Sequence, residues 1–484
     1  MLESEFISKP RFEGSFFEFP WGKTKNLNIH SFDVHTQECL RNGDGIHDHY
    51  GGRTRFVFFK AQKTRSLILE LQAENHENVH GWQAVNATGG YGAGMWAGAY
   101  EDLAPIVLNA LSSATNANDE YHSVDRLQLV NIIRQLIAEH TRTESSLWNM
   151  TFTTSGTEAV DFALQQVLLE GYSLATGIDQ RKEKNVIIAC RGAWHGWSMA
   201  TTQLLDRRQF TEGLPRLSSV EVIFMPYGNL QATHEIFEQY KGRIRGVFVE
   251  GILGDGGIIE GSLSWWKELR ALCNQEDCRL VIDEILTCFK TGSFLSFPEG
   301  LSPDCITLGK SLGLGLFPLS AVAWMNPKLT PRPGVGVRTF NARPFQSKII
   351  VKALEEFILN DEFSKIQAKG EKLLSQLRSL PTSFPQVFKS TRGRGLLIGM
   401  ELAMPFARKG RKVRDYLLRC GVITEVESGQ FSRHLPQHLR VNETIRITPP
   451  FSISDEDIQC IIKAFFKAGQ QLTEEIEYGK NENN

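Results

Sequence analysis

The chain has 484 residues, 41% hydrophobic and 22% charged, which is enough to bury a large core without disulfide or metal staples and to form two or three domains. Its 53 basic and 55 acidic side chains leave a formal charge of −2, which argues against a nucleic-acid partner, and no run of about 18 apolar residues offers a membrane span. Eight scattered cysteines make neither a disulfide framework nor a zinc site, and the opening Met-Leu-Glu-Ser-Glu carries acid where a signal peptide carries base, so reduced thiols and a cytoplasmic location are expected.

The first 75 residues have little helical period; Phe56-Val-Phe-Phe59 and Leu67-Ile-Leu-Glu-Leu71 are read as short strands. A glycine-rich loop follows at 89–98. From about 100 to 325 helices alternate with buried strands. The predicted helices span 157–172, 231–241 and 264–275. The predicted strands are 186–189, 220–224, 246–250, 280–283 and 305–308, short, apolar and β-branched, as strands covered on both faces should be. This alternation implies βαβ units and an α/β domain with a mostly parallel sheet. After about 345 the pattern changes to a leading helix through Ile349, Val351, Leu354 and Ile358, helices at 361–379, 406–419 and 454–472, and strands at 396–402 and 445–447. The expected organisation is an N-terminal segment (1–75) packing with the small domain, a large domain (76–345) and a smaller α+β domain (346–484).

In open α/β sheets ligands sit at the carboxyl ends of the strands. Four such places carry chemistry. Ser155-Gly-Thr157 opens an amphipathic helix and offers backbone N–H groups suited to a phosphate, although a plain N-cap explains it equally well. Trp194-His195, between glycines, offers an aromatic plate, or ordinary packing. Leu280-Val-Ile-Asp-Glu284 ends an apolar strand in two carboxylates, a charge partner or a structural ion pair. Ile306-Thr-Leu-Gly-Lys310 ends in an amine. Gly309-Lys-Ser311 looks like a P-loop, but Asp304 stands where that pattern needs glycine. Lys310 is therefore a candidate for a Schiff base. A phosphate seat, a flat plate, an acid and an amine together match the needs of pyridoxal phosphate.

The motifs Ser155-Gly-Thr-Glu-Ala159, Trp194-His-Gly196, Glu250-Gly-Ile-Leu-Gly-Asp-Gly-Gly257, Asp283-Glu-Ile-Leu-Thr287, Thr307-Leu-Gly-Lys310, Thr339-Phe340, Arg392-Gly-Arg-Gly-Leu396 and Ile445-Arg-Ile-Thr-Pro-Pro450 resemble, in order, those of the class III aminotransferases of fold type I, which depend on pyridoxal 5'-phosphate. The resemblance implies that Lys310 carries the cofactor as an internal aldimine and shuttles the substrate proton. It implies that Asp283 faces the pyridine nitrogen and that Ser155, Gly156 and Thr157 seat the phosphate. Trp194 and Ile285 would cover the two ring faces, with His195 and Glu250 also at the cofactor. Thr339 would reach a neighbouring subunit's phosphate, implying a homodimer with shared sites. Asp255 and Arg446 would form the acid–arginine pair that admits a substrate carboxylate.

Several positions depart from the family pattern. Gly251 replaces proline, Asp255 the longer glutamate, Leu286 a frequent glutamine and Trp197 a frequent arginine, while Cys288-Phe-Lys290 shortens Gly-Phe-Gly-Arg. The expected activity is transfer of an amino group from an amine or amino acid to a keto acid or aldehyde; an aminomutase or racemase on the same scaffold is the alternative. His47-Asp-His49 is read as a turn, not a metal site, and Trp265-Trp266 as core or interface.

Overall fold

The computed structural model describes residues 55–62, 65–72, 79–94, 96, 103–114, 121–430, 435 and 437–481. His47-Asp-His49 and most of the N-terminal segment lie outside these residues. The chain divides into two compact units, one of residues 1–60 and 66–83, the other of residues 61–65 and 84–484. In the first, the expected strands fall within Arg55–Gln62 and Arg65–Gln72, and a third, Val79–Asn86, begins. In the second, Val85 and Asn86 run parallel to Val422 and Ile423.

The second unit is built on a seven-stranded sheet. Its spatial order is Asn149–Thr153, Ser320–Trp324, Cys305–Leu308, Arg279–Asp283, Ile244–Glu250, Val186–Cys190 and Glu221–Met225, with Ser320–Trp324 antiparallel to both neighbours. The central strands are buried throughout because both faces are covered, and their polar residues, such as Arg245, Glu250, Arg279, Asp283 and Thr307, are buried too. Ile187, Ala189, Phe248 and Val281 pack with the helix Gly156–Leu169, while Val186, Ile188, Val247, Val249, Leu280 and Ile282 enter the larger core on the other side. Two strands of this sheet were not predicted: the edge strand Asn149-Met-Thr-Phe-Thr153 has no continuous apolar run, whereas Ser320-Ala-Val-Ala-Trp324 is buried throughout.

The helix Pro344–Leu359 leads from this sheet to a four-stranded antiparallel sheet ordered Phe388–Arg394, Leu397–Leu402, Thr444–Ile447 and Glu425–Glu427. Both sheets lie in the same compact unit. Trp265 and Trp266 are core, with Trp265 Nε1 donating to Thr233 Oγ1 at 3.0 Å. Among the described residues no helix is long and apolar enough to cross a membrane.

Candidate active site

Parallel register aligns three strand ends. Asp283 pairs laterally with Glu250 on one side and Thr307 on the other, so these side chains leave the sheet in one row. Three residues beyond Thr307, Lys310 opens a short helical turn, Lys310–Gly313, with a left-handed φ of 42°. A non-glycine residue there costs of order 1 kcal/mol or more, a strain typical of functional positions. Burial holds the Lys310 amine below its ordinary pKa and Arg446 adds to this, while Glu425, Glu427 and Glu250 pull the other way.

Asp283 is 5% exposed and fixed from two sides: Oδ1 accepts from Ile285 N at 3.0 Å and Oδ2 lies 2.9 Å from His195 Nδ1. Glu250 is a brace. Its carboxylate accepts from Trp194 N at 2.9 Å and Gly254 N at 3.0 Å, tying the Trp194 loop to the segment that carries Asp255. Burial pushes the Glu250 carboxyl up to about 7; His195 opposes this and Asp283 adds to it. His195 Nε2 and Thr307 Oγ1 are buried with no hydrogen-bond partner among the described residues.

The helix Gly156–Leu169 points its N-terminus at the same row. Ser155 caps it, its hydroxyl accepting from Glu158 N at 3.2 Å, so the Gly156 and Thr157 N–H groups precede any intrahelical acceptor. Two glycines make room here. A Cβ on Gly156 would lie 2.7 Å from Ile285 Cγ2, and one on Gly309 would lie 3.2 Å from the same atom. Ile285 thus packs on the backbone of the helix start and of the residue preceding Lys310. Trp194 is half-buried in an aromatic group with Trp197 (centroids 4.8 Å apart) and Phe210 (6.1 Å).

The charged residues meet differently from the expected pair. Arg446 is held by Glu425, through Nε at 2.9 Å and through Nη2, and by Glu427, through Nη1 at 2.6 Å. The reason lies in strand pairing: Glu425 sits directly across from Arg446, and Glu427 projects from the same face two residues on. Asp255 instead pairs with Arg207, Oδ2 to Nη2 at 2.7 Å. Burial raises the Asp255 carboxyl, but Arg207, a hydrogen bond with Glu427, Arg446 and Lys310 together hold it below the usual carboxylate range.

Neither Arg207, Glu425 nor Glu427 was singled out from the sequence. Glu425-Val-Glu427 carried a signal, two acids at strand spacing near Ile445-Arg-Ile447; Arg207 carried none. A second buried lysine was also missed. Lys290 Nζ donates to Ser311 Oγ at 3.0 Å and to the Leu286 carbonyl, its Cε lying beneath Gly92, and burial with Lys310 and Arg446 nearby lowers its pKa to about 7. Thr339 lies on an exposed turn, its carbonyl accepting from Arg343 Nε at 2.9 Å. Lys310, Asp283, Ile285, Ser155, Gly156, Thr157, Trp194, His195 and Glu250 are linked through the contacts above.

Residues 76–468 match the family model for aminotransferase class-III. The chain is 28% identical over 379 residues to the acetylornithine aminotransferase of Oceanobacillus iheyensis, covering 77% of this chain and 85% of that one. It is 29% identical over 316 residues to the mitochondrial ornithine aminotransferase of Oryza sativa subsp. japonica, 64% of this chain and 63% of that protein. Its fold superposes on the ornithine aminotransferase of Toxoplasma gondii with a TM-score of 0.72 at 20% identity, covering 93% of this chain and 99% of that one. A transaminase from the marine bacterium Virgibacillus gives a TM-score of 0.72 at 20% identity over 90% of this chain and all of that one. With a family model spanning most of its length and an α/β fold shared with these enzymes, the chain belongs to the class-III aminotransferases and is a pyridoxal-phosphate-dependent aminotransferase.

Proposed function

We propose that the cofactor is held at the aligned ends of Ile244–Glu250, Arg279–Asp283 and Cys305–Leu308, with Lys310 as its covalent anchor. The observation that carries this reading is the Ile285 contact, which joins the capped helix start at Gly156 to the residue preceding Lys310, with Asp283 two residues from Ile285. The residues fit the group. The Gly156 and Thr157 N–H groups suit a phosphate, Trp194 and Ile285 suit a flat ring, and Asp283 suits a protonated ring nitrogen. Two buried polar atoms without hydrogen-bond partners among the described residues, His195 Nε2 and Thr307 Oγ1, fit a polar group lodged beside them.

When bound, pyridoxal phosphate supplies an electron sink for negative charge at the substrate carbon. The chain supplies the rest. Lys310 Nζ, whose pKa burial lowers from its ordinary value, is the group placed to carry a proton to and from that carbon. His195 fixes the orientation of Asp283, and Glu250 fixes the loop bearing Trp194. Substrates are an amine or amino acid donor and a keto acid or aldehyde acceptor. Exposed Val337, Thr339 and Phe340 support a homodimer in which Thr339 completes the partner's phosphate seat, and the free thiols suit a reducing cytoplasm.

Borohydride reduction of the purified yellow enzyme, followed by peptide mapping, tests the anchor. The pyridoxyl mass should fall on Lys310 and vanish in Lys310→Ala. Label on Lys290, the other buried lysine nearby, would sink the assignment.

A further inference from the structure

A transaminase that accepts a keto acid needs a cation for its carboxylate, and the described residues near Lys310 offer two buried arginines. Arg446 is closed. Two acids occupy all three of its nitrogens, and one of them, Glu425, also accepts from Tyr91 N at 2.9 Å. A carboxylate reaching Arg446 would have to displace both glutamates, and each would be left buried beside the other.

Arg207 is open by comparison. Asp255 meets it through one oxygen on Nη2, and Nη2 also donates to the Gly192 carbonyl at 3.0 Å. The Nε of the same guanidinium is buried and has no hydrogen-bond partner among the described residues. The Arg207 side chain is 4% exposed, while its acid partner Asp255 is 24% exposed. The guanidinium lies 5.9 Å from the Trp194 ring, and Asp255 is among the groups that interact with Lys310. A planar guanidinium with one nitrogen engaged by a displaceable acid and its neighbouring Nε unpaired is half of a bidentate carboxylate site. Asp255 also does not lose every partner on leaving, because Arg446 and a Glu427 hydrogen bond act on the same carboxyl.

We infer that Arg207 receives the carboxylate of the acidic co-substrate, with Asp255 as the group it displaces, while Arg446 stays locked to Glu425 and Glu427 as a structural ion cluster. This rests on the reading of Lys310 and its surroundings as the reaction site. The substrate class it names is carboxylate-bearing donors and acceptors bound through Arg207.

The test uses the holoenzyme and glutarate, a dicarboxylate that cannot donate nitrogen, with binding read by calorimetry and by displacement of the visible cofactor band. Arg207→Met should weaken glutarate by about tenfold or more, as loss of a charged hydrogen bond predicts. Asp255→Asn should tighten glutarate, because the competing anion is gone; a purely structural role for the pair predicts weakening or no change. Asp255→Asn also keeps the test decisive should Arg207→Met fail to fold. Arg446→Met should weaken glutarate less than Arg207→Met does. Failure of wild type to bind glutarate, or a larger loss in Arg446→Met than in Arg207→Met, overturns the inference. Cofactor remaining on Lys310 in every variant separates such a failure from failure of the site itself.

Discussion

Two halves of this site are built from different materials. The proposed cofactor half depends on backbone: a Cβ on Gly156 would lie 2.7 Å from Ile285 Cγ2, one on Gly309 2.6 Å from Ser320 Oγ, and one on Gly196, at φ 110°, 2.4 Å from Thr157 Oγ1. The proposed substrate half depends on long charged side chains, Arg207, Asp255, Glu425, Glu427 and Arg446, arranged as ion pairs. A backbone cradle admits few side chains at its close approaches, as Gly156, Gly196 and Gly309 show. An ion-pair cluster keeps its charge balance when partners are exchanged, so the same family fold can carry a different pairing. The names of the relatives therefore inform the cofactor half more than the choice of substrate.

The largest effect that distinguishes the halves should come from Lys310→Ala. If Lys310 is the anchor and proton carrier proposed, removing its amine takes away both, and single-turnover rates with any donor should fall by on the order of 10³-fold or more. Asp283→Asn should follow. It keeps the shape but removes the charge that His195 Nδ1 faces at 2.9 Å, and a loss on the order of 10²-fold, equal for carboxylate-bearing and carboxylate-free donors, is expected. A loss confined to one donor class would mean that Asp283 belongs to the substrate half instead.

Gly156→Ala tests the backbone claim at smaller scale. The new methyl would meet Ile285 Cγ2 at 2.7 Å, and overpacking of this kind costs about 1–3 kcal/mol. Because the strain falls on the helix start, cofactor affinity, titrated by the visible band, should drop by roughly tenfold, while the affinity for glutarate at saturating cofactor moves less. Equal losses in both would erase the distinction between the halves.

What was legible in the sequence follows the same division. Apolar runs marked the strands predicted at 186–189, 246–250, 280–283 and 305–308, each of which falls within an observed strand. The edge strand Phe388–Arg394 could not, because Lys-Ser-Thr-Arg-Gly-Arg has no apolar period. Strand ends could be read for Asp283, the last residue of its strand, and for Lys310, two residues past the end of its strand. Arg207 lies in a short irregular stretch, and nothing local says which acid its long side chain will reach; Asp255 is 48 residues away in sequence. Assigning Asp255 to Arg446 followed the motif, whereas the register of Glu425 opposite Arg446 decided the contact.

Lys290 lies at the seam between the halves and gives the most conditional effect, confined to stability and set by pH. Its amine bonds to Ser311, next to Lys310, and its stem packs under Gly92 of the glycine-rich loop. Burial lowers its pKa from 10.5 to about 7, so between those values the unfolded chain holds a proton the folded one does not. Stability should therefore rise with pH across that window, by about 1 kcal/mol per pH unit from this group, and be lowest at and below pH 7. Lys290→Met removes that slope: the variant should gain most over wild type at pH 6 and lose the advantage as pH approaches 10. Denaturant midpoints at several pH values measure it. A gap between the two proteins that stays constant with pH would show that Lys290 binds its proton equally in the folded and unfolded chains, and that its burial and its proximity to Lys310 and Arg446 have no electrostatic consequence.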